Sequence, residues 1–256
     1  MEQKPLPYQG FTTYQELYDY SIHPDTREQY WAKLAEKIQW SKAPTQILDS
    51  SNPPHYRWYQ DGELNITESM VDRWATLTPE NPALIYEGRI VGKAETWTFA
   101  QLHKELELFA GVLTLHGIKK GDRVIIYMPM INLGVCAMLA CARIGAIHSV
   151  VFGGFAPKEL ASRIVDSDCQ MILSASCGVE PHKKIDYATS IREALAYIDR
   201  PHIKRIYVDR EELPLTVLAD NEFIYHEQRE LATPQKAVTT MSNDPLYILY
   251  TSGSTG

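Results

Sequence analysis

The chain has 256 residues, 25 lysines and arginines against 32 aspartates and glutamates, and a formal charge of -7. With 45% hydrophobic and 22% charged residues, it reads as a globular protein that buries a core, not a disordered one. The acidic balance leaves no electrostatic footprint for nucleic acid. Four cysteines (Cys136, Cys141, Cys169, Cys177) contain no C-x-x-C pair, which excludes a zinc ribbon or dithiol redox site and fits a reducing, cytoplasmic setting. MEQKPLPYQGFTTYQE lacks the apolar core of a secretory signal.

In chain order, residues 14–38 predict one helical, aromatic-rich segment with Leu17, Trp31, Leu34 and Ile38 as its apolar positions. SSNPPHYRWYQDGELN predicts irregular extended chain, because Pro53 and Pro54 exclude a helix. A helix over MVDRWATL follows and stops at TPENP. ALIYEG and ETWTF alternate as two strands of a hairpin. Leu102, Leu106, Phe109 and Leu113 then fall at helical spacing, with Gly117 placed to close that helix.

The rest alternates regularly. Strand VIIYM, a helix over residues 133–144, strand HSVVF and helix KELASRIVDS, opened by Pro157, lead to strand QMILSA. A loop over residues 176–184, helix SIREALAYI and strand IKRIYVD complete the series. Residues 124–142 carry no charge and match a bilayer span in length. Pro129, Asn132 and Gly134 interrupt them, so they read as a buried strand turning into a buried helix, and no membrane partner is expected. The predicted fold is α/β: a largely parallel sheet flanked by helices, behind a helical N-terminal leader. Ligands of such sheets sit beyond the carboxyl ends of the strands. That directs attention to residues 152–157, 176–184 and 251–256.

The chain ends in LYILYTSGSTG. LYILY predicts a buried strand, and the six small residues after it can wrap a polyphosphate through converging N–H groups and hydroxyls. No Gly-Lys-Ser/Thr follows, so this is not a Walker loop; a flexible linker is the alternative reading of its composition. FGGF, between a strand and a helix, reads either as close packing or as a ligand approach. It is not G-x-G-x-x-G, which argues against an NAD-type Rossmann domain. CGVEPHKKI reads on its own as a solvated charged loop.

Taken in order, YTSGSTG, TWTFAQL, RWYQDGELNITESMVDRW, GDRVIIYMPM and LACARIGAIHSVVFGGFAP resemble the AMP-forming acyl-CoA synthetases of the adenylate-forming enzymes, most closely the short-chain acetyl- and propionyl-CoA members. YMPMI and the RWY-GELN block lean toward propionyl. The resemblance spans nearly the whole chain and implies a leader over residues 1–65 and part of the AMP-binding domain over residues 66–256. It implies an ATP-dependent ligase with Mg2+, ATP, a small carboxylate and coenzyme A as reactants. By the same resemblance Thr251, Ser252, Gly253, Ser254, Thr255 and Gly256 would cradle the ATP phosphates. Phe152, Gly153 and Gly154 would line the pantetheine passage, and Lys183 and Lys184 would meet CoA. Acetyl-CoA synthetases carry two arginines in that last loop where this chain has Glu180 and Lys183. An acid in place of a guanidinium removes a bidentate phosphate donor.

The family's phosphate-loop signature normally continues with a residue, proline and lysine, and its catalytic, metal-holding and ribose-binding residues come later still. The resemblance therefore implies an N-terminal portion with no catalytic or metal residue to assign and no ligase activity by itself. Ordering the six final residues costs about 6–12 kcal/mol of backbone entropy. Four charge-assisted bonds to phosphate return about 6–12 kcal/mol, so the two cancel. A folded, non-catalytic CoA- or nucleotide-binding or interaction module is the alternative.

Overall fold

The computed structural model describes residues 10–251. Its backbone separates into two compact units, Met1–Leu64 with Thr239–Asp244, and Asn65–Val238 with Pro245–Gly256.

In the first unit Thr13 opens α1 (Tyr14–Ile22) with a capping box: Thr13 Oγ1 accepts from the Glu16 N–H while the Glu16 carboxylate accepts from that of Thr13. α2 (Arg27–Ala35) is a separate helix, so the single segment expected over residues 14–38 is corrected to two. Pro24 is the reason, because it disfavours the helical region for His23, which is extended at φ -64° and ψ 136°. The Trp31 indole then ties the pair, donating to the Ser21 carbonyl at 3.1 Å and meeting Trp58 edge-on at 5.3 Å. β1 (Trp40–Lys42) pairs with β4 (Glu63–Leu64), and β2 (Leu48–Asp49) with β3 (Arg57–Trp58), all antiparallel. The stretch expected to be irregular thus holds two short strands, both beyond its proline pair. Thr240–Met241 adds to β4 from the far end of the sequence.

The second unit begins with Asn65, whose side-chain amide donates to the carbonyls of Ala142, Arg143 and Val238. A π-helical turn (Glu68–Asp72) runs into α3 (Arg73–Leu77), so the helix expected here is wider and under-wound in its first part. β5 (Pro82–Gly88) and β6 (Lys93–Thr98) form the expected hairpin. Thr98 and Gln101 box the start of α4 (Phe99–Leu115), and Gly117 leaves its end at φ +91°, where a side chain would be strained.

Five strands then make a wholly parallel sheet in the order β13-β12-β9-β7-β8. They are β7 (Arg123–Tyr127), β8 (Ile147–Val150), β9 (Met171–Ala175), β12 (Lys204–Val208) and β13 (Glu222–Ile224). α5 (Asn132–Arg143) crosses from β7 to β8, α6 (Pro157–Ser167) from β8 to β9, and α7 (Tyr187–Ile198) from β9 to β12. α4 and α5 pack together with α8 (Tyr225–Leu231), and α6 packs on α7. Because α5 and α6 cross in opposite directions, right-handed connections place them on opposite faces. The uncharged stretch is β7 followed by α5, and no described helix is long and apolar enough to cross a membrane.

Leu106, Phe109, Ile125, Leu173 and Ile206 are among the buried core, each contributing about 1.5–3 kcal/mol by leaving water. Arg143, nearly fully buried, joins three segments: it donates to Asp72 at 2.9 Å, Glu107 at 3.3 Å and the Gln235 carbonyl at 2.7 Å.

Two expectations are corrected. The loop over residues 176–184 is an antiparallel hairpin of β10 (Cys177–Glu180) and β11 (Lys183–Asp186), turning at Pro181 and His182. Residues 246–250, expected as a buried strand, run parallel along β8 as a half-buried edge. Ile248 N–H donates to the His148 carbonyl at 2.9 Å, while Tyr247 and Leu249 face solvent. Among the described residues no strand covers their other side.

Candidate active site

Three segments leave the carboxyl edge of the sheet, the place where parallel α/β units bind ligands. β8 runs into FGGF, β9 into the β10–β11 hairpin, and residues 246–250, alongside β8, into Thr251.

FGGF is held from below. Tyr127 ends β7, is fully buried, and aims its hydroxyl at the carbonyls of Gly153 (3.1 Å) and Phe155 (3.0 Å). Both glycines are closely faced. A Cβ on Gly153 would lie 2.1 Å from the Tyr187 hydroxyl oxygen, and one on Gly154 would lie 2.4 Å from Phe152 Cε1. Gly178, in the hairpin, meets the same Tyr187 oxygen, at 2.3 Å from an added Cβ. Close packing is therefore the role these contacts express, and Tyr187 is the piece that packs FGGF against the hairpin. Asp186 fixes where Tyr187 starts α7, its carboxylate accepting from the Thr189 N–H at 2.9 Å. Burial, with the Tyr127 ring 4.8 Å away, pushes the Tyr187 phenol up to about 12. It stays a neutral donor at pH 7.

The approach to the hydroxyl-rich tail is tied to the same place through α6. The Tyr250 hydroxyl donates to Asp166 Oδ2 at 2.6 Å. Arg163, mostly buried, lies 5.3 Å over the Tyr250 ring and 4.5 Å over the Phe155 ring, a cation between two aromatic faces. Glu159 anchors it through its carbonyl at 3.0 Å and its carboxylate at 3.3 Å. Phe155 in turn meets Phe152 edge-on at 5.8 Å. FGGF and residue 250 thus share one support. Thr251 is exposed; Ser252, Gly253, Ser254, Thr255 and Gly256 lie outside the described residues.

Lys183 and Lys184 sit on β11. The Lys183 ammonium is 3.4 Å from Glu180 Oε2 with both side chains exposed, and that of Lys184 donates to the Glu212 carbonyl. A surface pair of this kind is worth about 0–1 kcal/mol, so Lys183 can exchange its partner for a stronger anion. Arg210 braces the base of the hairpin, donating to the Cys177 carbonyl at 3.0 Å. Sequence reasoning missed Tyr127, Arg163, Tyr187 and Arg210. Each has its partner in a different segment, and the one local signal is that Tyr187 follows a capping aspartate.

An α/β unit whose candidate loops gather at one sheet edge has the build of a nucleotide- or cofactor-using enzyme. Residues 71–256 match the AMP-binding enzyme family, and the chain belongs to it. Residues 14–70 match the acetyl-coenzyme A synthetase N-terminus. The chain is 41% identical over 231 residues to Acyl-CoA synthetase short-chain family member 3, mitochondrial, of Homo sapiens, covering 90% of this chain and 34% of that protein. It is 39% identical over 254 residues to Propionate–CoA ligase of Salmonella typhimurium, covering 95% and 39%. The chain therefore spans a little over a third of the length of these relatives. Acetoacetyl-CoA synthetase from Streptomyces lividans shares the fold, with a TM-score of 0.83 at 23% identity over 96% of this chain and 37% of that one.

Proposed function

We propose that this chain supplies part of an AMP-forming ligase that joins a short-chain carboxylic acid, propionate or acetate, to coenzyme A. Residues 1–65 form its leader and residues 66–256 belong to its AMP-binding domain. The acid's carboxylate attacks the α-phosphate of Mg–ATP, releasing pyrophosphate, and the CoA thiol then displaces AMP from the acyl-adenylate. The reading is carried by one observation: Arg163 stacks on both Phe155 of FGGF and Tyr250, so a loop suited to phosphate and a loop suited to a slender arm start from one support. In such transfers positioning and charge stabilisation supply most of the acceleration.

In this reading Thr251, Ser252, Gly253, Ser254, Thr255 and Gly256 contact the ATP phosphates through backbone N–H groups and hydroxyls. Phe152, Gly153 and Gly154 flank the pantetheine arm, and Lys183 and Lys184 face the nucleotide phosphates of CoA. Among the described residues no three His, Cys, Asp or Glu side chains stand together to hold a metal, and magnesium arrives with ATP. The 256 residues alone bind CoA but do not turn over.

Calorimetry and isotope exchange on the 256-residue chain test this. CoA is expected to bind, and Lys183→Glu to weaken it about tenfold or more, the size of one charge-assisted hydrogen bond. Acid-dependent ATP–pyrophosphate exchange is expected to stay at background. Robust exchange would refute the inactivity, and CoA affinity indifferent to Lys183→Glu would refute the role given to Lys183.

A further inference from the structure

A cavity of about 310 Å³ opens where the β5–β6 hairpin, the start of α5 and the residues that follow β12 meet. Its place follows from topology. β7 connects to β8 on one side of it in the sheet, and β9 connects to β12 on the other. The direction of travel therefore reverses between β7 and β9, and crevices beyond the carboxyl ends at such a reversal are where open α/β sheets take ligands. Arg210, which borders the cavity, has a side chain only 10% exposed. Its Nη1 is spent on the Cys177 carbonyl, while Nε and Nη2 hydrogen-bond to no acceptor among the described residues and neither is sealed from solvent. Those two nitrogens form one edge of the planar fork that grips a carboxylate or phosphate through parallel bonds. Glu212 stands 3.3 Å from Nε, yet its Oε2 is a buried oxygen without a hydrogen bond. Charge is balanced there while the hydrogen bonds go unmade on both sides, an arrangement that buried polar groups rarely keep.

The remaining walls set the rest of the ligand. Tyr86, Trp97, Ile131 and Leu133 offer aromatic and apolar surface, which suits a body that gains by leaving water. Lys93 adds a second cation, its ammonium 3.6 Å from Glu212 Oε1. Glu95 and Glu211 also line the space, and both repel a second negative charge, which counts against a phosphate dianion. We propose that this cavity is a binding site for a small monocarboxylate with an apolar or aromatic body. The ligand's carboxylate takes the Nε–Nη2 edge of Arg210 in place of Glu212, and its body lies against Trp97 and Leu133. None of the residues assigned above to ATP or CoA lines the cavity, so the inference stands apart from the ligase reading.

The test is calorimetry on the 256-residue chain with phenylacetate, phenylacetamide, acetate and phenyl phosphate. Phenylacetate is expected to bind in the millimolar range or tighter. Phenylacetamide, which lacks the charge, and acetate, which lacks the body, are each expected to bind about tenfold or more weakly. Arg210→Lys keeps the charge but loses the fork, and is expected to weaken phenylacetate about fivefold to tenfold. Glu212→Gln removes the competing carboxylate and is expected to tighten it about threefold or more, a gain that a damaged fold does not produce. Phenylacetate is also expected to shift tryptophan emission in the parent chain and not in Trp97→Phe. Phenylacetamide or acetate within about twofold of phenylacetate would overturn the inference, as would tighter binding of phenyl phosphate. So would affinity that is unchanged or weaker in Glu212→Gln, or an emission shift that survives Trp97→Phe. Arg210→Lys that folds and binds as the parent does would overturn it too, as would no binding up to about 10 mM. Each of these outcomes leaves the ligase reading as it stands.

Discussion

Replacing Glu222 by alanine is expected to lower the stability of the second unit by about 3–5 kcal/mol, the usual cost of stranding one side of a buried ion pair. The Glu222 side chain is wholly buried and accepts from Arg192 at 3.0 and 2.6 Å, from the Ala219 N–H at 2.9 Å and from Tyr207 at 3.3 Å. Arg205, also buried, is 3.4 Å away. Removing the carboxylate leaves Arg205 in the interior with carbonyls alone and unpins α7 from β13. Burial by itself would lift the Glu222 carboxyl, but the hydrogen bonds from Arg192 and Ala219, with the charges of Arg192 and Arg205, hold it below its ordinary value. A carboxyl held low in the fold stabilises most above its unfolded value, near 4.5, and that contribution fades as the pH falls further. Thermal melts from about pH 3 to about pH 7, across the ordinary carboxylate range, are thus expected to converge for parent and variant at the acid end. A gap that persists undiminished there would argue that Glu222 acts by packing and not by charge.

Gly153→Ala is expected to be the more informative substitution at the candidate site. The new methyl would fall 2.1 Å from the Tyr187 hydroxyl oxygen and 2.6 Å from its ring carbon Cζ, so the turn or the ring must move. Overpacking of this kind costs about 1–3 kcal/mol, and CoA affinity is expected to fall with it because the FGGF turn is displaced. The clash belongs to one partner, so Tyr187→Leu should absorb part of it. A double-mutant cycle is expected to show Gly153→Ala costing at least about 1 kcal/mol less on the Tyr187→Leu background, within the range of directly contacting pairs. Additive costs would mean that Gly153 is required for its backbone conformation and not for the approach of Tyr187.

Features written into neighbouring residues were legible. Pro157 and Gly117 mark helix ends by dihedral preference, and the strand-helix alternation after Phe99 follows from apolar spacing; the Thr98–Gln101 capping box, equally local, went unread. Where a local signal was outweighed by composition, the reading slipped. Pro24 marks the break between α1 and α2, but the aromatic spacing around it suggests continuity. Residues 246–250 are apolar enough for a buried strand, yet exposure at an edge depends on whether another strand pairs with it, which no run of five residues encodes. The glycines of FGGF were visible as a ligand turn or a packing point. Their partner, Tyr187, becomes apparent only when β8, β9 and α7 are brought to one edge. Likewise Arg163 gains meaning between Phe155 and Tyr250, far apart in the chain.

Hydrogen exchange of the 256-residue chain with and without saturating CoA would report whether these loops act as one mouth. Slowed exchange is expected in three places together: residues 152–155, residues 183–187, and, through Arg163, residues 246–251. Protection confined to the first unit, or to one of the three segments while the other two exchange as before, would contradict a shared site at the carboxyl edge of the sheet.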